Sequence, residues 1–349
     1  MLLGHNLLNH TEGSALIIAE AGINHDGSFD KARKLIDVAA AANCSCVKFQ
    51  SFKTDITSST KAITAPYIQD GSKPNETFYE LSKRLELTFD EQRELSVYSK
   101  AQGITFASSH FDEESLAFLV ELGVPFLKVA SGELTNYPLL KLAGATGLPI
   151  FISTGMASLN EIDSVYRYLK ANGANELYIM HCVSVYPANY EMMNVKFIDT
   201  LFNRFGTPVG FSDHTLGISV PTGVRARGAK FFEKHYTIST SDFGPDHSAS
   251  LNPEELRQMV ISIDQVGLSL GDSNKSVNPI ELKQRMVHRK SVVANRDLKK
   301  GHLVTHDDIV LKKPGLGIEP EQFDDVIGCR VLVDIELDSC IAWSQLKKP

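Results

Sequence analysis

Eight short apolar runs, each followed by a stretch with helical spacing, constrain the fold of this chain more than any other feature. The runs start near residues 16, 46, 104, 125, 149, 177, 208 and 229. Eight strand–helix units in about 270 residues match the number and size of a (β/α)8 barrel. A doubly wound open sheet is the alternative, but no G-x-G-x-x-G fingerprint follows the first run. We therefore predict an α/β fold of the TIM-barrel type.

Polar residues cluster at the carboxyl ends of these runs, whereas the amino ends begin with proline, glycine and aliphatic residues. The polar set comprises Glu20, Lys48, Ser109, Lys128, Ser131, Glu133, Ser153, Thr154, Ser184, Tyr186, Ser212, His214, Glu233 and His235. Because barrel enzymes keep their chemistry at this end of the strands, the asymmetry predicts an enzyme. Because side chains alternate along a strand, Lys128 and Glu133 would point to opposite faces of it. Both reach the centre only if the chain bulges or leaves the strand between them.

Two histidines at the ends of the last two runs predict a metal site. Ser212 and His214 share one face of the seventh strand, and Glu233 and His235 share one face of the eighth. Two imidazoles with carboxylates beside them suit a divalent transition metal that keeps positions open for water and substrate. The alternative is two unrelated histidines, each hydrogen-bonded locally. Their equivalent places on neighbouring strands favour the metal site.

Composition and charge exclude several classes of function. The chain has 349 residues, 43% hydrophobic and 22% charged, as in ordinary soluble globular proteins. A net charge of −7 without a Lys/Arg-rich stripe argues against nucleic acid as a partner. No run approaches the ~20 apolar residues of a membrane span, and the start MLLGHNLLNH lacks the features of a signal peptide. Five cysteines, few and odd in number, indicate reduced thiols in a cytoplasmic protein.

A polar segment between the second and third runs, residues 53–83, is longer than an ordinary βα loop. Long loops in compact domains are often lids or binding loops. Disorder is the alternative, and the aromatic residues Phe78 and Tyr79 argue against it. The segment is therefore expected to be a lid or a binding loop.

The character of the chain changes after Gly271. Residues 272–289 are polar and contain Pro279 as a breaker, which predicts a linker. From residue 290 onward, short β runs are separated by Lys-Gly, Pro-Gly and Asp-Ser turns. We predict a catalytic barrel over residues 1–271, a linker over 272–289 and a small, mostly β domain over 290–349. A domain of about 60 residues has a marginal core, so it is expected to pack on another surface.

Several motifs, taken in their order along the chain, resemble those of sialic acid synthases, which condense phosphoenolpyruvate with an N-acyl hexosamine. The matching stretches are EAGINHDG, VKFQ, KVASGE, STGM, HCVSVYP, GFSDHT, EKHYT and GPDHSASL. The C-terminal part resembles the antifreeze-like (SAF) domain of the same family. The resemblance covers nearly the whole chain and predicts a nonulosonic acid synthase, a transferase that forms a carbon–carbon bond and releases phosphate.

The resemblance implies a metal site and a phosphoenolpyruvate site. The metal, normally Mn²⁺ with Mg²⁺ or Co²⁺ as alternatives, would bind at His214 and His235. The phosphoenolpyruvate site would comprise Lys48, Ser109, Lys128, Ser131, Ser153, Ser184, Ser212 and His214. The family often has Asn where this chain has Ser184, and the shorter serine leaves that phosphate contact open.

The resemblance also implies residues around the acceptor sugar. Glu133 would be the acid/base beside the acceptor aldehyde, and Glu20, Tyr186 and Asp246 match positions that contact sugar or metal-bound water, with Glu20 counted among the catalytic residues. A domain-swapped homodimer is implied, in which the small domain of one chain covers the barrel mouth of the other. In the small domain, bacterial members of the family often have Arg before Pro-Gly, where this chain has Lys313. Lysine supplies charge but not a bidentate fork, which leaves its role in acceptor binding open.

The expected chemistry explains these residue types. Phosphoenolpyruvate is a weak carbon nucleophile with dense negative charge, and Lys48 and Lys128 would hold its carboxylate and phosphate. A metal on the two histidines would polarise the acceptor aldehyde. Water then adds to the oxocarbenium-like centre, and phosphate leaves through C–O cleavage. Glu133 is expected to move the proton at the aldehyde oxygen.

Other functions compete with this interpretation. N-acetylmannosamine would give N-acetylneuraminate, whereas a 2,4-diacetamido-6-deoxy hexose would give a legionaminate- or pseudaminate-type acid, and the sequence leaves this choice open. Condensation on a simple sugar phosphate would need extra basic residues, and no cluster of them stands out. A non-catalytic carbohydrate-binding or ice-binding protein is disfavoured, because the KKPG and HDD segments are too charged for a flat ice-binding surface.

Overall fold

The computed structural model describes residues 15–65, 68 and 71–349. The expectation about the N-terminal start concerns residues 1–10 and therefore lies outside the described residues. The chain divides into two compact units, residues 1–271 and residues 272–349.

The first unit contains a closed barrel of parallel strands, which confirms the predicted fold. Each strand pairs with the next along the chain, and the last pairs with the first. The strands are β1 (Leu16–Gly22), β2 (Cys46–Ser51), β3 (Thr105–His110), β4 (Leu127–Val129), β5 (Ile150–Ser153), β6 (Leu177–Cys182), β7 (Val209–Asp213) and β8 (Phe231–His235).

Helices surround the barrel and bury their apolar faces against the outer faces of the strands. Side chains cap several of these helices. Asp112 accepts a hydrogen bond from Ser115 N at 2.7 Å, and Ser158 accepts one from Glu161 N at 3.4 Å. The described helices are α1 (Phe29–Ala41), α2 (Thr54–Thr57), α3 (Phe78–Leu85), α4 (Phe89–Ala101), α5 (Glu113–Leu122), α6 (Tyr137–Ala145), α7 (Leu159–Ala171), α8 (Phe197–Phe205), α9 (Ser219–Ala226) and α10 (Pro253–Ser269).

An apolar cluster fills the barrel interior toward the amino ends of the strands. Phe151 lies edge-on to Phe126 and Phe231, with ring centroids 4.9 and 5.0 Å apart, and Met180 belongs to the same cluster. A Cβ on Gly210 would lie 1.9 Å from a ring carbon of Phe231, so only glycine leaves room for this ring. The interior is thus packed at one end, and an inward-facing cavity remains at the carboxyl end.

The strand register brings the predicted polar residues together. Glu20 lies opposite Lys48 on β2 and opposite His235 on β8. Ser212 lies opposite Glu233. Closure of the barrel therefore makes neighbours of residues that are more than 200 positions apart along the chain, such as Glu20 and His235.

The segment between β2 and α4 is ordered where the structure describes it. Helices α2 and α3 lie within it, and α3 begins with a capping box in which Thr77 and Glu80 bond each other's backbone N–H. Glu86 accepts hydrogen bonds from Thr54 N at 3.0 Å and Lys53 Nζ at 3.3 Å, which ties the two ends of the segment together.

The second unit is small and mostly β. Strand β9 (Ser291–Ala294) pairs antiparallel with β10 (Ile309–Lys312), and β11 (Arg330–Val331) pairs antiparallel with β12 (Leu346–Lys347). Its core includes Val292, Ile309 and Ile341. The predicted linker, residues 272–289, contains helix α11 (Pro279–His288), and a short helix α12 (Phe323–Val326) follows later.

Two features bear on the cellular setting. All five cysteines lie in the described part of the chain, and all are free thiols. Among the described residues, no helix combines the length and apolar character that crossing a membrane requires.

Candidate active site

A cavity of about 570 Å³ opens at the carboxyl ends of the barrel strands. Every predicted site residue of the barrel lines it, namely Glu20, Lys48, Ser109, Lys128, Ser131, Glu133, Ser153, Ser184, Tyr186, Ser212, His214, His235 and Asp246. Lys313 belongs to the second unit, where it is exposed just after β10.

Lys48 stands on the cavity floor in a buried network. Its Nζ lies 2.6 Å from Glu20 Oε2 and donates to Ser109 Oγ at 2.8 Å. Burial alone would lower the pKa of Lys48, but the charges of Glu20 and Glu233 raise it above its usual value. Burial raises the pKa of Glu20 to about 7, although Lys48 opposes this effect. The floor therefore holds a charged lysine beside a carboxyl group that can change protonation near neutral pH.

Glu233 links this network to the second lysine and was absent from the predicted site. Its Oε1 lies 3.2 Å from Lys128 Nζ and accepts a hydrogen bond from Ser212 Oγ at 2.9 Å, and its Oε2 lies 3.7 Å from Lys48 Nζ. Burial would raise the pKa of Glu233, but Lys128 and Lys48 lower it to about 2. Burial lowers the pKa of Lys128, and Glu233 opposes this effect. The shared strand face of Glu233 and His235 was the sequence signal for this residue.

The two histidines of the predicted metal site face each other across 5.5 Å between ring centroids. His214 Nδ1 donates to the carbonyl oxygen of Val183 at 2.7 Å, so Nε2 is the ring nitrogen left to bind a metal. His235 Nδ1 is buried without a hydrogen-bond partner among the described residues, and Asp246 Oδ2 lies 3.5 Å away at an ion-pair distance. Burial, then the charge of His214, hold the pKa of His235 well below its usual range.

This donor set fits a divalent transition metal. Neutral imidazole is the form that binds metal, and an unbonded, buried ring nitrogen is a ligand atom without another role. Burial raises the pKa of Asp246 to about 6, so a nearby cation would hold this carboxyl group in its charged form. The ring of Tyr186 lies 4.0 Å from that of His214 and closes one side of the site.

Serine hydroxyls form a second group in the cavity. Gly155 N donates to Ser131 Oγ at 3.0 Å, and Ser153 Oγ is buried without a hydrogen-bond partner among the described residues. A Cβ on Gly155 would lie 2.1 Å from Ser184 Oγ and 2.8 Å from Ser131 Oγ. The glycine thus lets two serines approach the same spot, where hydroxyl groups can donate to an anion.

Glu133 reaches the cavity because the chain leaves the strand. β4 ends at Val129, and Ser131–Glu133 forms a 3₁₀ turn, which resolves the difference in direction expected between Lys128 and Glu133. Asn136 Nδ2 donates to Glu133 Oε2 at 2.8 Å. Burial raises the pKa of this half-buried carboxyl group above its usual value, which is the direction that favours a proton donor.

The outer wall of the cavity is apolar. Phe52 and Phe111 contribute aromatic rings, 6.2 Å apart and edge-on, and α3 contributes Phe78, Leu81 and Leu85. The segment predicted as a lid or binding loop thus supplies much of this wall. A polar floor and an apolar wall together suit a ligand with an anionic end and a less polar end.

A second group of metal-ligand types lies outside the predicted set. Ligand atoms of Asp26, Asp242 and His247 all lie within 4.8 Å of one another. The ammonium of Lys31 already contacts Asp26 and lies 2.6 Å from Asp242 Oδ2, and His247 Nε2 donates to Asp26 Oδ1 at 3.1 Å. Because lysine supplies the positive charge here, this cluster is an ion-paired network that joins two loops.

Comparison with known proteins covers both units. Residues 35–275 match the NeuB family, and residues 289–347 match the SAF domain. The chain is 39% identical to N,N′-diacetyllegionaminic acid synthase of Legionella pneumophila, over 96% of this chain and 95% of that protein. It is 37% identical to human N-acetylneuraminate-9-phosphate synthase, over 93% and 90%.

A solved structure is also similar. The N-acetylneuraminic acid synthetase of Leptospira borgpetersenii, crystallised with citrate, superposes with a TM-score of 0.69 at 32% identity. The match covers 78% of this chain and 90% of that chain. Family and fold therefore agree over most of the chain.

Proposed function

This chain belongs to the NeuB family and is a nonulosonic acid synthase, and on that premise we propose how its cavity condenses phosphoenolpyruvate with an N-acyl hexosamine. The observation that carries the proposal is the pairing, in one cavity, of two buried lysines with two facing imidazoles. The lysines suit an anionic donor, and the imidazoles suit a metal that binds the acceptor. A protein that only binds carbohydrate needs neither.

In the proposed reaction, Lys48 and Lys128 bind the carboxylate and phosphate of phosphoenolpyruvate. Ser131, Ser153 and Ser184 donate hydroxyl hydrogen bonds to the phosphate oxygens, and Gly155 leaves the space for Ser131 and Ser184. Carbon 3 of phosphoenolpyruvate forms the new bond to the aldehyde carbon. Water adds at carbon 2, and the C–O bond to phosphate then breaks.

Glu133 is the proposed proton donor. The aldehyde oxygen becomes a hydroxyl group as the carbon–carbon bond forms, so a proton must arrive there. The raised pKa of Glu133 keeps it protonated more often than an exposed glutamate, and Asn136 orients its carboxyl group. Glu20, whose pKa burial raises to about 7, is proposed to contact the acceptor or a nearby water.

His214 Nε2 and His235 Nδ1 would hold the metal, with Asp246 beside them, and we propose Mn²⁺ as the native ion. When bound, such an ion supplies a Lewis acid for the acceptor carbonyl. The chain itself fixes the ring of His214 through the Val183 carbonyl and shields the site with Tyr186. Free thiols and the resemblance support a cytoplasmic enzyme.

The acceptor is the feature that an experiment must decide. The apolar wall of Phe52, Phe78, Leu81, Leu85 and Phe111 suits acetamido methyl groups and a 6-deoxy carbon, which favours testing 2,4-diacetamido-6-deoxy hexoses beside N-acetylmannosamine. Phosphate release from phosphoenolpyruvate is measured with each acceptor in the presence of Mn²⁺. Acceptor-dependent release supports the proposal. No release with any N-acyl hexosamine would refute it.

We also propose a dimer in which the small domain of one chain covers the barrel mouth of its partner and brings Lys313 to the acceptor. The resemblance supports it, and subunit exchange tests it. Two inactive variants are mixed, His235→Ala and a chain truncated after Arg289. If the small domain acts on the partner, the intact domain of the first covers the intact barrel of the second and activity returns. No recovery at any mixing ratio would contradict the swapped dimer.

A further inference from the structure

We propose that Glu233 is a positioning residue that keeps Lys48 and Lys128 as a charged pair aimed into the cavity. The inference rests on the proposed function, because the lysine pair matters only if it binds the phosphoenolpyruvate anion. Glu233 would act through the lysines and would not transfer a proton during the reaction.

In the part of the chain that the structure describes, Glu233 is the carboxylate that contacts both lysines. Its Oε1 contacts Lys128 at 3.2 Å and its Oε2 contacts Lys48 at 3.7 Å, so the side chain spans the gap between the two ammonium groups. Ser212, its register partner on β7, donates to Oε1 at 2.9 Å and fixes the orientation. Glu20, by comparison, forms an ion pair with Lys48 and accepts a hydrogen bond from Gln50 at 3.3 Å, and among the described residues it makes no ion pair with Lys128.

The two lysines need such a counter-charge. Both are only 2% exposed, and a buried ammonium group without a partner is costly. Burial and the charge of Lys48 both favour the neutral form of Lys128, whereas Glu233 favours its charged form. Without Glu233, Lys128 would lose charge or turn away, and the anion site would lose one of its two cations.

The bridge leaves room for the anion. Glu233 Oε2 makes no hydrogen bond among the described residues, and each ammonium group has three donors. Lys48 uses two donors, toward Glu20 and Ser109, and its 3.7 Å contact with Glu233 is too long for a hydrogen bond, so one donor remains for a ligand. Glu233 can therefore hold the lysine pair without using all the N–H donors that the substrate would need.

The same two strands offer a matched control on their opposite face. Lys234 Nζ lies 2.6 Å from Asp213 Oδ2, and both side chains are 1% exposed. This pair alternates with Ser212 and Glu233 along β7 and β8, so it points away from the barrel interior. Asp213→Asn removes a buried ion pair of comparable geometry without touching the cavity.

The test uses the full-length protein with Mn²⁺ and four variants, Glu233→Gln, Glu233→Asp, Lys128→Ala and Asp213→Asn. Affinity for phosphoenolpyruvate is measured by calorimetry without acceptor, and both KM values are measured with the acceptor that turns over. We expect Glu233→Gln to weaken phosphoenolpyruvate binding about 10- to 100-fold, with a much smaller change in the acceptor KM. Glu233→Asp, which keeps the charge, should recover part of the loss, and Asp213→Asn should lower Tm without this selective effect.

A double variant tests whether Glu233 acts through the lysines. In the Lys128→Ala background, Glu233→Gln should cost clearly less than it does in the wild type, because one of its two partners is already gone. Equal losses in both backgrounds, or equal changes in both KM values, would overturn the proposal. A loss of Tm in Glu233→Gln with unchanged phosphoenolpyruvate affinity would also overturn it. Wild-type protein that fails to bind phosphoenolpyruvate would refute the proposed function itself and the inference with it.

Discussion

Replacing Gly155 by alanine tests the serine group with a single methyl. The added Cβ would lie 2.1 Å from Ser184 Oγ and 2.8 Å from Ser131 Oγ, where ordinary contacts begin near 3.4 Å. Gly155 does not have a positive φ, so alanine brings no backbone strain of that kind. The nearest contacts are all with the two serines, including Ser184 Cβ at 3.1 Å, and the N–H that Gly155 donates to Ser131 lies beside them.

The size of the effect follows from what must move. Ser184 has to turn away, and overpacking of this kind costs about 1–3 kcal/mol of stability. A displaced hydroxyl group also loses its hydrogen bond to the phosphate, and bonds to charged groups contribute about 1.5–3 kcal/mol each. We therefore expect kcat/KM for phosphoenolpyruvate to fall about 10- to 100-fold for each serine displaced, while Tm falls by only a few degrees.

Steady-state kinetics and thermal unfolding are measured together for this variant. Gly223→Ala is the matched control, because a Cβ there meets nothing within 4 Å in a helix. It should leave kcat/KM unchanged and Tm equal or higher. Adding Ser184→Gly to Gly155→Ala should restore Tm without restoring kcat/KM. Unchanged kcat/KM in Gly155→Ala would refute the placement of the phosphate against these serines.

Three further predictions address the metal, the anion site and acid stability. His235→Ala should abolish turnover and lower the bound metal content while Tm stays near that of the wild type without metal, and full activity after exhaustive chelation would contradict the site. Lys48→Ala and Lys128→Ala should each reduce kcat/KM for phosphoenolpyruvate about 10- to 100-fold, and unchanged constants would show that the lysines serve another purpose. Burial lowers the pKa of His25 and of His110 to about 4 from 6.5, so the unfolded chain binds more protons between these values. Unfolding free energy should therefore fall as pH drops from about 6.5 to 4, by about 3 kcal/mol per histidine, and His110→Gln should flatten the dependence of Tm on pH.

The fold was predictable because its signals are local. Each strand of the barrel is a short apolar run, and residues such as Asp112 and Ser158 mark helix starts through side-chain geometry that depends on only three or four neighbours. The polar strand ends were predictable for the same reason, since barrel topology places all carboxyl ends on one side.

The contacts within the site depend on closure and register, which a single sequence does not reveal. Glu233 bridges Lys48 and Lys128 because β8 closes on β1 and pairs with β7 in one register, so its importance appears only in the closed barrel. The turn that carries Glu133 into the cavity is likewise a local departure from the strand.

Helix α11 begins at a proline from which the sequence predicts a break and not a helix start. In a polar segment Pro279 indicates a break, yet proline is also favoured in the first turn of a helix. Asn278 accepts a hydrogen bond from Ile280 N at 2.8 Å, so the pair Asn-Pro starts a helix inside the predicted linker. None of the residues of this helix is buried, so apolar periodicity gave no help in finding it.

The division of the cavity between a polar floor and an apolar wall has a consequence for how such enzymes diversify. The floor is built from strand ends that the barrel holds rigid, whereas much of the wall comes from helix α3, in a connection that the barrel does not need in order to close. Substitutions in Phe78, Leu81 and Leu85 would therefore reshape the space in which we propose that the sugar binds, while the residues at the strand ends keep their geometry. One scaffold can in this way acquire new acceptors by changing a short insertion, with its reaction inherited intact.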